Sequence, residues 1–222
     1  MISLPSWDWV ITYASSAVEL SGAAIGSIRW RRIAGGQRVI TLWFAAAAII
    51  DIAVILAARR HHSTQPLIRL WVAVSVIFAL EALGTYQRGD RRVAAFRALI
   101  VAYVAAWLIL LITIEPLAAF STYSAPLHTL VILAAAVLTL RRRASFGRGE
   151  LFTDPGFLIA AGLAGYAVAD AFETLVAQLW VREFPQYVVA YYTMCNVLTA
   201  LAEFVIIKAL FLAPSSSRRS SP

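Results

Sequence analysis

The chain has 222 residues, 61% of them hydrophobic and 14% charged, and its mean hydropathy of +0.76 lies far above that of a water-soluble domain. A formal charge of +7 with a single cysteine then points to cations held at membrane surfaces rather than on nucleic acid. It also excludes an intramolecular disulfide and any thiolate metal cluster.

Seven stretches reach the roughly 20 apolar residues that cross a bilayer. The first is about 8–29; the first residues, MISLPSWDW, lack the positive region of a cleavable leader, so this span is expected to stay as an anchor. It carries Thr12, Ser15, Glu19, Gly22 and Gly26 along one face. The second, about 39–58, holds Asp51 mid-span, and the third, about 67–87, holds Glu81 towards its end. The fourth, about 93–114, has no carboxylate in its body. The fifth, about 119–140, begins near Pro126 and carries His128 beside Ser124 and Thr129. The sixth, about 156–180, sets Tyr166, Asp170 and Glu173 at i, i+4 and i+7. The seventh, about 187–212, extends that pattern through Tyr192, Asn196, Thr199 and Glu203, with Lys208 near its end. Such spacing puts each set on one helical face.

The expected architecture is therefore an all-α polytopic bundle over residues 1–213, followed by a polar, disordered tail over 214–222. Arginines cluster after the first, third and fifth spans, at Arg29, Arg31, Arg32, Arg38, Arg88, Arg91, Arg92, Arg97, Arg141, Arg142, Arg143 and Arg148. Arg59, Arg60, Arg69 and Arg182 fall on the other side. The positive-inside rule then places the amino terminus outside and the carboxyl terminus in the cytoplasm, in a plasma or inner membrane. Trp7, Trp9, Trp71 and Trp180 near one interface, and Trp30 and Trp43 near the other, read as aromatic belts.

The first three spans carry Glu19, Asp51 and Glu81, and the last three carry His128, Asp170 with Glu173, and Glu203. AAIIDIAVILAA and YAVADAFETLVA read loosely alike, which suggests two parallel triple-helix units joined by a linker helix. This 3+1+3 layout is similar, in topology alone, to that of the SWEET sugar-transporter class. The Pro-Gln signature of related proteins is absent from the spans, Pro185-Gln186 falling in a loop, so no family residues are carried over.

Carboxylates inside spans cost roughly 2.5–3.5 kcal/mol each at a helix centre, and must pair, protonate or meet water. By depth, Glu19, Asp51, Asp170 and His128 fall near the midplane with Glu173 further out, and Glu81, Glu203 and Lys208 fall in the inner half. The leading expectation is a transporter or channel that moves a proton, cation or small polar solute past Glu19, Asp51, Glu81, Asp170, Glu173, Tyr192, Asn196, Thr199 and Glu203. His128, Tyr166 and Lys208 are accessory, and Lys208 snorkels towards the surface.

The alternatives are a sensor or scaffold with a cytoplasmic partner or a second copy of the chain, and third, a lipid-modifying enzyme using Asp170 and Glu173 as acid and base. No HExxH or cysteine pair supplies a zinc or haem site, and Ser15, Ser16 and Ser21 lack a GxSxG setting, so neither a cofactor nor a catalytic nucleophile is expected. A retinal lysine is rejected because Lys208 lies too near the span's end.

Overall fold

The computed structural model describes residues 6–87, 89–116, 123–145, 151–176 and 187–212. Among them the chain forms seven α-helices and no strand: α1 (Ser6–Ile28), α2 (Gly35–Arg59), α3 (Gln65–Thr85), α4 (Asp90–Thr113), α5 (Ser124–Ala144), α6 (Pro155–Ala171) and α7 (Val188–Phe211). α6 runs on into a π-helical turn, Phe172–Val176. Six helices, α2 to α7, are long and apolar enough to cross a membrane, and Ser16–Ile28 of α1 is apolar as well. This is the build of a multi-pass membrane protein. The side chains of Trp7, Trp9, Thr12 and Ser15, together with Trp180 and the 214–222 tail, lie outside the described residues.

The helices close a ring. α1 packs on α2, α2 on α3, α3 on α5, α5 on α6, α6 on α7, and α7 returns to α1. α4, whose body lacks a carboxylate, packs chiefly against α3 and stands outside the ring. It buries only Phe96 and Tyr103 and exposes Val101, Ile109 and Ile112, a surface that lipid covers without cost.

Lipid tails are as apolar as leucine, so close packing of small residues holds membrane helices together. A Cβ added to Gly26 on α1 would stand 2.1 Å from Thr41 Oγ1 on α2, and one added to Gly162 on α6 would stand 2.2 Å from Ile206 Cγ1 and 2.8 Å from the Ala202 carbonyl on α7. Glycine at these two positions lets the backbones meet.

Polar ties clip the ring at both ends and show that consecutive helices alternate in direction. At the arginine-rich end, Gln37 Nε2 on α2 donates to the carbonyl of Ala209 on α7 (2.7 Å) and Arg29 Nη2 to that of Phe211 (2.9 Å). Arg143 on α5 pairs with Asp154 (3.4 Å) and donates to the Tyr86 carbonyl (3.0 Å). Asp154 also caps α6 by accepting from Gly156 N, ahead of a proline at the first helical position.

At the opposite end, Arg59 donates to the Tyr13 hydroxyl and Arg69 to the Glu115 carbonyl. The sequence pattern assigned Arg69 to the outer-side cations, yet it is 1% exposed, and its guanidinium lies 3.6 Å from the Glu115 carboxylate, itself 3% exposed. Glu115 also accepts from the backbone N–H groups of Tyr123 and Ser124, the orphan donors that open α5. That arrangement starts α5 at Ser124, about five residues later than hydropathy alone suggests, and the helix runs on to Ala144.

The belt reading also needs correction at two tryptophans. Trp43 is fully buried, and Trp71 is partly so. Trp43 packs against Phe44, Trp71 and Tyr166 with ring centroids 5.1, 5.6 and 5.3 Å away, forming the aromatic centre of the ring rather than an interfacial girdle.

Candidate functional site

Two polar clusters sit within the packed ring. The first joins α1, α2 and α7. Ser16 Oγ donates to Asp51 Oδ2 at 2.8 Å, and the carboxyl groups of Glu19 and Asp51 lie within hydrogen-bonding range of each other. Glu203 faces this pair, in electrostatic reach of both. It is 1% exposed, and among the described residues neither of its carboxyl oxygens has a hydrogen-bond partner, nor does the buried Oε2 of Glu19. No arginine, lysine or histidine among the described residues forms an ion pair with any of the three. Ionised carboxylates only accept hydrogen bonds, so two in contact need a proton between them. Unpaired buried charge is costly, so the trio favours bound protons or an added cation.

The second cluster joins α3, α5 and α6. His128 on α5 is 1% exposed. Its Nε2 lies 2.8 Å from Ser75 Oγ on α3, and its Nδ1 lies 3.2 Å from Asp170 Oδ2 on α6. The second contact has ion-pair distance without hydrogen-bond alignment. Thr129 donates its hydroxyl to Asp170 Oδ2. Glu173, one turn on from Asp170, lies in its electrostatic field and within the π turn, where Tyr191 of α7 donates to the Phe172 carbonyl. π turns often occur at functional sites because they redirect side chains by one residue.

Tyr166 on α6 stands between the clusters. Trp71 Nε1 donates to its hydroxyl oxygen at 3.3 Å, its ring lies edge-on to His128 at 6.4 Å, and Asp170, Glu203 and Glu19 are all in electrostatic reach of its hydroxyl.

The two depth layers expected from sequence are thus regrouped. Glu203 joins Glu19 and Asp51, while Asp170 and Glu173 stand with His128. Glu81 lies apart and is partly exposed, 4.0 Å from Arg97 of α4. On α7 the buried positions are Tyr191, Cys195, Ala202, Glu203, Ile206, Ile207, Ala209 and Leu210. Tyr192 is exposed, and Asn196 and Thr199 are intermediate. Only Glu203 of that expected stripe therefore reaches the buried interior. Lys208 is exposed.

Sequence reasoning missed Ser75, Trp71 and the Arg69–Glu115 pair. Ser75 carries no motif, and only the tertiary approach of α3 and α5 brings it to His128. No group of three or more histidine, cysteine or acidic residues suited to a metal ion occurs among the described residues. Comparison with protein-family models, with curated proteins and with solved structures finds no match.

Proposed function

We propose that this chain is a small integral membrane transporter or channel that moves a proton, cation or small polar solute along a path lined by intramembrane carboxylates. The observation that carries the reading is Glu203. It is buried and, among the described residues, lacks a hydrogen-bond partner for either oxygen and faces two further carboxyl groups with no cationic side chain paired to them. A merely structural polar contact would satisfy its own atoms, as Glu115 does with Arg69 and two backbone N–H groups. Unsatisfied acids in the bilayer mark ion and proton pathways.

The orientation that goes with this reading has the arginine-rich loops in the cytoplasm of a plasma or inner membrane. The test is flux of protons, sodium and potassium in proteoliposomes of the purified protein against Glu203→Gln. Flux that falls in the variant supports the reading. Flux no greater than in empty liposomes refutes it and favours a sensor or scaffold with a cytoplasmic partner.

A further inference from the structure

We infer that the species bound at the carboxyl trio is the proton, held in a hydrogen bond from Glu19 to Asp51 and, separately, on a neutral Glu203. This deepens the transport reading, on which it rests, by naming its substrate.

Helix register brings the three groups together. α1 and α2 run antiparallel, and their contacts form a ladder. Gly26 meets Thr41, Gly22 meets the Phe44 ring at 2.7 Å from an added Cβ, and Ser16 Oγ reaches Asp51 Oδ2 at 2.8 Å. Glu19 falls between the last two rungs, one turn from each, which sets it beside Asp51. α7 runs parallel to α1, and Arg29 Nη2 bonds the Phe211 carbonyl. Counting back from that tie puts Glu203 level with the turn of α1 that holds Glu19 and Gly22.

The face of Glu203 follows from packing. α7 has two neighbours in the ring, α6 and α1. Ala202 and Ile206 meet Gly162 of α6. Glu203, Ile207 and Leu210, at i, i+4 and i+7, are 1%, 6% and 0% exposed. They make a second buried stripe, one residue further round, on the side left for α1.

The hydrogen bonds then assign the protons. A carboxylate has only acceptors to offer. Asp51 takes the Ser16 hydroxyl proton on Oδ2 and lies in hydrogen-bonding range of Glu19, so Asp51 is the acceptor and Glu19 carries the shared proton. Among the described residues Glu203 has no donor for either oxygen. Buried without one, it is the neutral acid. Binding forms an O–H bond at a Glu203 oxygen. Release breaks that bond and leaves its electron pair on an oxygen that no donor holds, so the vacant group recaptures a proton.

A metal cation asks for a different set. Hard cations gather about six oxygens, and a coordinating hydroxyl turns its lone pairs to the ion and its proton away. Ser16 instead donates to Asp51, and Glu19 and Asp51 spend oxygens on each other. No group of three or more acids suited to a metal occurs among the described residues. From the flanking elements, Lys208 on α7 is exposed, and Tyr166 on α6 accepts at its hydroxyl from Trp71.

The experiment is infrared spectroscopy of the full-length protein in lipid vesicles, in light and heavy water, followed by proton, sodium and potassium flux in the same vesicles. The C=O stretch of a protonated carboxyl group stands apart from carboxylate bands and shifts on deuteration. Wild type, Glu19→Gln and Glu203→Gln are compared after checks of monodispersity and helical content. The expected wild type shows protonated-carboxyl absorption at neutral pH that sodium and potassium leave in place. Each variant loses a distinct part of it, the Glu203 part being that of a carbonyl without a hydrogen bond. Protons cross the membrane, with sodium and potassium at the level of empty liposomes.

A wild type without protonated-carboxyl absorption overturns the inference whether or not the variants fold, as does absorption kept in full by both folded variants. Absorption lost on adding sodium or potassium, with flux of that ion, shows a metal cation at the site; it overturns the proton and leaves a transporter in place. The expected absorption with no flux of any ion upholds the proton site and overturns the transport reading.

Discussion

The buried Arg69–Glu115 pair makes the sharpest stability prediction. Its charged groups are 1% and 3% exposed and 3.6 Å apart. At an effective dielectric of about 20, two unit charges at that distance attract by about 4–5 kcal/mol. Glu115→Gln keeps the shape but removes the carboxylate that faces a guanidinium unable to lose its proton, and breaking one side of a buried pair costs about 3–5 kcal/mol. Arg69→Met should cost less. The carboxyl group left behind keeps the backbone N–H groups of Tyr123 and Ser124 and can be neutralised by a proton. The double variant Arg69→Met/Glu115→Gln removes both charges and should be more stable than Glu115→Gln alone, with a coupling energy of about 1–3 kcal/mol. The assay is reversible unfolding in mixed micelles followed by tryptophan emission. If Glu115→Gln unfolds within about 1 kcal/mol of the wild type, the pair is solvated and the burial argument fails.

Two further stability effects follow from packing at α6. Gly162→Ala should lower stability by about 1–3 kcal/mol, because Ile206 can rotate away from the new Cβ but the Ala202 carbonyl, 2.8 Å away, cannot; thermal loss of monodispersity in detergent reads this, and an unchanged midpoint would show that α6 and α7 separate easily. Asp154→Ala should cost about 1–2 kcal/mol by removing the α6 cap and the partly exposed contact to Arg143. Asp154→Asn, which keeps the cap, should recover about half of that loss in the same assay.

The helices were legible because hydropathy reports directly on what a bilayer requires. Boundaries failed where polar chemistry took over, as at α5, whose first turn is set by the Glu115 carboxylate reaching two backbone N–H groups. That contact pairs a residue before the helix with donors eight and nine residues further on, and no local pattern encodes it.

The site was legible in its residue types but not in its grouping. Polar periodicity on α7 marked Tyr192, Asn196, Thr199 and Glu203, but the face turned inward is fixed by Gly162 admitting Ala202 and Ile206. With that face inward, Tyr192 is exposed and Glu203 is buried. Depth along each helix likewise gave no information on which helices are neighbours. Closure of α7 onto α1 brings Glu203 to Glu19, and α4 standing outside the ring lets α3 meet α5 and Ser75 meet His128. Trp43 and Trp71 were misplaced for the same reason, since an aromatic residue one turn from a span's end suits an interface and a ring centre equally.

The central claim is that unpartnered carboxyl groups inside the ring form a pathway, and Glu203 is the group on which it depends most. The most direct measurement is dye-reported proton flux in proteoliposomes for the wild type and Glu203→Gln, a substitution that preserves volume and removes the ionisable group. The account predicts flux in the wild type that falls by about tenfold or more in the variant. Equal flux in both, with Glu203→Gln folded, would contradict it.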